Sequence, residues 1–168
     1  MSRYFFRNPD KLLEKIRGDD ALYFEFQWHY RLPSEAFFDI GQLLHWTDVM
    51  INASDSDADK VTLVGSILGK APDGDDGIFP IETVRKLLKI KKNEELTTAV
   101  ARGKINSLGL RDVEDGKKER EKSDIYKMQA RAMEIDYPQT SVILRILANF
   151  YERESKRDQI SSEIEPLQ

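Results

Sequence analysis

The chain has 168 residues, of which 40% are apolar and 33% charged, enough for one core with an appended helical unit and too balanced for wholesale disorder. It has no cysteine, which excludes disulfides, thiolate zinc sites, iron–sulfur clusters and a cysteine nucleophile. Its 26 basic and 30 acidic side chains leave a formal charge of −4, yet residues 80–122 hold 12 basic against 8 acidic groups, so any affinity for an anionic partner is expected there.

The opening stretch carries only the apolar cluster Tyr4-Phe5-Phe6 between two arginines, too short for a signal-peptide core, and no run approaches a membrane span. A cytoplasmic chain without membrane contact is expected. Asn8 before Pro9, the apolar Leu12, Leu13 and Ile16, and then Gly18 predict a short helix over 9–17 with Asn8 as its cap. From Phe24 to Leu32, aromatic and polar residues alternate with the period of a half-buried strand, and the one available partner is Val61 to Leu68. That second run also fits a helix. Periodicity therefore leaves a minor two-stranded element at 23–32 and 61–68 open against an all-helical fold.

Phe37, Phe38, Ile40, Leu43, Leu44, Trp46, Val49, Met50 and Ile51 form an apolar set too broad for one stripe, which predicts a central core helix over 35–52 buried on most sides. Residues 71–77, with one proline, two glycines and three aspartates, read as an exposed loop and the expected seam of the chain. Pro80 and Asn93 then open two successive helices. In the last third, Ile125, Met128, Ala132 and Ile135 recur at helical spacing, and after Pro138 so do Ile143, Ile146, Leu147, Phe150 and Tyr151. Two striped helices joined by a few residues predict an antiparallel hairpin over 113–160, followed by a flexible tail at 161–168. The expected fold is thus mainly α: a helical core over 1–72, a basic helical pair over 73–112 and the hairpin, packed as one compact unit.

Several local patterns fall short of a chemical site. Gly65-Ser66-Ile67-Leu68-Gly69-Lys70-Ala71 has one residue too few between its glycines for a phosphate loop and lacks the magnesium-binding hydroxyl after the lysine. Asp55, Asp57 and Asp59 alternate as in a calcium loop, but Lys60 and Ser66 stand where that loop needs glycine and a bidentate glutamate. His29 and His45 share no ligand spacing, and His45 beside Trp46 is expected in the core. No metal, no cofactor and no catalytic residue is therefore assigned, and the sequence favours a protein that is not an enzyme.

Two binding expectations remain. Residues 80–104 resemble the helix-turn-helix of DNA-binding regulators, with Arg85, Lys86, Lys89, Lys91, Lys92, Arg102 and Lys104 as cations for phosphates. Against it, Glu94 and Glu95 open the second helix. The hairpin is the stronger expectation. Its stripes at Ile125 and Met128 and at Ile143, Ile146, Leu147, Phe150 and Tyr151 must pack on the body or on another chain, because two helices alone bury little. The expected function is that of a non-catalytic helical interaction or scaffold protein whose partner is another protein or a second copy. A nucleic-acid-binding adaptor is the alternative, and an enzyme without a local signature comes third.

Overall fold

The computed structural model describes residues 2–16, 25, 29–52, 57–108 and 116–164. The fold is mainly α, and no strand occurs among the described residues. In chain order the helices are α1 (Ser2–Arg7), α2 (Pro9–Ile16), a 3-10 turn (Ser34–Phe37), α3 (Ile40–Asn52), α4 (Asp57–Leu68), α5 (Glu82–Lys91), α6 (Glu94–Asn106), α7 (Lys117–Met133) and α8 (Pro138–Ile164). One cluster of buried side chains runs from Phe5 on α1 to Leu147 on α8.

α2 forms where the proline and apolar spacing place it, but Asn8 plays a different part. Its side-chain amide donates to the carbonyl of Tyr4 at 2.9 Å, satisfying the end of α1 rather than the start of α2. The helix expected over 35–52 is two pieces. The chain turns at Phe38 and Asp39, and the Asp39 carboxylate accepts the amide of Gln42 at 3.0 Å, which starts α3 afresh. α3 buries one stripe, Leu43, Trp46, Thr47 and Met50, so it is amphipathic and not enclosed. His45 lies on its exposed side, not in the core, and Phe38 is left 85% exposed.

The enclosed helix is α4. Val61, Leu63, Val64, Ile67 and Leu68 are all buried, so a run that read equally as strand or helix is a helix surrounded by neighbours. Of the other half of the expected two-stranded element, residues 23, 24 and 26–28 lie outside the described residues; Glu25 and His29 are helical, and 30–32 have no regular structure.

α4 packs chiefly against α6, and the glycines of the failed phosphate loop explain how closely. A Cβ placed on Gly65 would sit 2.2 Å from the Ala99 Cβ, and one on Gly103 would sit 2.7 Å from the Gly65 carbonyl oxygen. Gly65 on α4 and Gly69 just past its end, and Ala99 and Gly103 on α6, are each four apart, one turn along the same face. Their spacing serves a close helix crossing. α6 is in turn covered by α8, and α3 packs on α2, α4 and α5.

The loop at 71–81 is held rather than loose. The Ile81 amide donates to the Pro72 carbonyl at 2.8 Å and the Gly74 amide to the Ile78 carbonyl at 3.0 Å. Arg85, 3% exposed, donates to the Pro80 and Ile78 carbonyls at 2.5 Å each and to both oxygens of Asp76. The last helix outruns its expected length: α8 has 27 residues, about 40 Å at 1.5 Å per residue, and its backbone continues through 161–164, where a flexible tail was expected.

Candidate interaction face

α7 and α8 form the expected antiparallel hairpin, but their contact is made by small residues, not by the α7 stripe. The Ser155 hydroxyl donates to the Gly116 carbonyl at 2.8 Å, the Ser123 hydroxyl to the Ala148 carbonyl at 3.0 Å, and the Ser141 hydroxyl to the Ala130 carbonyl at 2.8 Å. Each step of seven residues forward along α7 is matched by seven back along α8. Gly116, Ser123 and Ala130 thus oppose Ser155, Ala148 and Ser141 in a heptad seam, and side chains this small bring the backbones near enough for hydroxyls to reach the opposite carbonyls. Gly116 has φ of +73°, and a Cβ there would lie 2.5 Å from the Ser155 carbonyl oxygen, so only glycine fits. Tyr126 stacks on Tyr151 with ring centres 5.6 Å apart beside this seam. Lys127 reaches Glu152 at 2.9 Å, and together with Lys156 it holds that carboxyl down at about 2.

With the small-residue seam turned inward, the α7 stripe is forced to the opposite side. Taking Ile125 as heptad position a places Met128 at d, Ala132 at a and Ile135 at d, while Ser123 and Ala130 fall at f, about half a turn away. Ile125, Met128 and Ile135 are accordingly 48%, 65% and 90% exposed, and Ala132 is exposed as well. Each expected interaction residue of α8 takes another place. Ile143, Leu147 and Tyr151 are buried within the chain, and Ile146 and Phe150 are half-buried. The α8 stripe is core, and the α7 stripe is surface. The sequence held a sign of this in the serines, alanines and glycine at sevenfold spacing, which polar and small residue types disguised as solvent-facing positions.

The basic segment does not assemble into one open patch. Arg85 is buried against Asp76, whose carboxyl the guanidinium draws down to about 2. Lys91 pairs with Asp48. Lys104 approaches Asp73 at 3.4 Å and lies 4.3 Å from the centre of the Phe79 ring. Lys86 bonds Glu82 at 3.1 Å, and Lys89 lies over the Tyr137 ring at 5.4 Å. Lys92, at the left-handed turn between α5 and α6 with φ of 50°, and Arg102 are exposed. α6, in the position of a reading helix, buries Leu96, Thr97, Ala99, Val100, Ala101 and Gly103, and its exposed start is Glu94 and Glu95.

A cleft of about 550 Å3 opens between the 3-10 turn, the 71–81 loop, α5 and the hairpin turn, with Phe37, Phe38, Asp75, Glu82, Met133 and Tyr137 on its walls. Two of its carboxylates are answered locally, Asp76 by Arg85 and Glu82 by Lys86, and the Tyr137 hydroxyl donates to Glu82 at 3.4 Å. Among the described residues no three His, Asp or Glu side chains gather as metal ligands, and no helix is long and apolar enough to cross a membrane. The acids at 55–59 lie outside the described side chains. No protein-family model, no curated protein and no solved structure matches the chain.

Proposed function

We propose that this protein is a helical interaction protein that presents the outer face of α7 to a partner helix. The observation that carries this reading is the orientation of Ile125, Met128 and Ala132, which stand at a and d spacing on the side of α7 away from its own hairpin seam, with the exposed Ile135 continuing the spacing in the turn after the helix. Apolar side chains at that spacing, on a helix whose one extended contact among the described helices is α8, have the form of an unfilled coiled-coil half. The alternative of nucleic-acid binding is weakened by the engagement of Arg85, Lys91 and Lys104 within the chain and by the burial of α6.

A photo-crosslinking amino acid at Met128, with the same group at the exposed Thr62 as control, tests the reading in cells. The expected result is a discrete adduct from position 128 that is absent from position 62. The absence of any adduct from position 128 overturns the reading.

A further inference from the structure

Resting on that reading, we infer that the partner of the α7 face is a second copy of this chain, paired antiparallel about a twofold axis that crosses the stripe side of α7 at the level of residue 130. The stripe has intervals of three, four and three residues, a palindromic spacing. Under such an axis Ile125 meets Ile135 of the second copy, and the long Met128 meets the small Ala132. Both pairs occur twice, so every apolar residue of the stripe finds an apolar neighbour, and large is set against small. Parallel pairing would instead put Met128 on Met128 and leave a gap between two alanines.

The flanking charges favour the same arrangement. Lys122 stands at heptad position e of α7, and Asp136 falls in line with the same position in the turn after the helix, where Glu134 keeps helical backbone angles and the Tyr137 amide donates to the Met133 carbonyl at 2.9 Å; the antiparallel register brings the two opposite one another, again twice. Lys122 is exposed, its ammonium 5.2 Å from the Tyr151 ring, and Asp136 is exposed in the hairpin turn. One pair opposes the assembly, because Arg131 meets Arg131 across the axis; it lies at an exposed rim where the repulsion is modest. A closed twofold pairing uses one patch on both copies, so the chain needs no second surface to complete it. The patch is small, which places the dimer in the weak, concentration-dependent class.

The cysteine-free sequence allows a clean test of partner and direction. Sedimentation equilibrium of the full chain should show reversible dimerisation. Ile135→Asp should weaken it by at least about tenfold, because it buries an unpaired charge in an apolar layer, and Arg131→Gln should strengthen it. With a short bismaleimide, Lys122→Cys and Asp136→Cys should each give no covalent dimer alone and should crosslink when mixed. Crosslinking of Lys122→Cys with itself, weakened association in Arg131→Gln, or a wild-type chain that stays monomeric throughout overturns the self-pairing. An adduct from Met128 to a different protein overturns self-pairing while leaving the interaction reading standing. No adduct at all removes both.

Discussion

Arg85 grips Asp76 with two parallel hydrogen bonds, Nη1 to Oδ2 at 2.7 Å and Nη2 to Oδ1 at 2.6 Å, and so pins an acidic loop to the buried side of α5. The guanidinium is buried whereas its partner is about half exposed, so the pair matters mainly through what is left behind when it is broken. Asp76→Ala should cost about 2 kcal/mol, below the usual range for breaking a fully buried pair because water reaches the site. The same pair sets an acid dependence. Arg85 first, aided by the Ile78 amide, lowers the Asp76 carboxyl from 3.8 to about 2, so as pH falls the unfolded chain takes up the proton before the folded one. This contribution is complete above pH about 4 and is lost between about 4 and 2. Urea unfolding across that window should show a steeper fall for the wild type than for Asp76→Asn.

The crossing of α4 and α6 leaves no room at Gly65. Gly65→Ala gains up to about 1 kcal/mol in helix propensity, but the overlap with Ala99 should outweigh it and destabilise by about 3 kcal/mol. Ala99→Gly in the same chain should restore only part of the loss, because it removes the 2.2 Å overlap with the Ala99 Cβ but leaves the new Cβ 2.7 Å from the Ala99 carbonyl carbon. A double-mutant cycle by denaturant unfolding that shows simple additivity would contradict the close crossing.

Two alanines separated by one residue provide a test of which way α7 faces. Ala130 is buried in the hairpin seam and Ala132 is exposed. Ala130→Leu should cost about 2 kcal/mol by forcing the helices apart, while Ala132→Leu should change stability by no more than about 0.5 kcal/mol. Ile135→Asp should likewise leave the monomer's unfolding nearly unchanged, and Leu147→Asp should prevent stable folding. Thermal melts at concentrations low enough to suppress association decide this; a reversal of the two alanine effects would turn the helix around.

For duplex DNA, with Lys86 held by Glu82, the other exposed cations Lys89, Lys92 and Arg102 could neutralise about three phosphates, giving a slope of log affinity on log salt near −3 rather than the −4 to −6 that the seven-residue segment would suggest. Little binding is therefore expected at about 150 mM salt, where screening acts over about 8 Å. Fluorescence anisotropy showing submicromolar affinity there, lost on replacing Lys89, Lys91 and Lys92 with glutamate, would restore nucleic-acid binding as the leading function.

Local periodicity was enough to locate α2, the pair α5 and α6, and the hairpin, because the apolar spacing and capping residues of a helix act within a few positions of one another. The absence of cysteine excluded thiol chemistry, and the glycine spacing with Ala71 after Lys70 told against a phosphate loop. Facing is another matter, since a helix with two usable sides turns whichever side its neighbour fills best. On α7 the seam at Ser123 and Ala130 took the inside, and the stripe at Ile125 and Met128 was left outside. Likewise Val61 to Leu68 fitted a strand or a helix equally until α3 and α6 packed against it, and Arg85 looked like a surface cation until the loop at 76–80 supplied acceptors for it. These outcomes depend on residues far apart in the chain meeting in space, and so only the tertiary structure decides them.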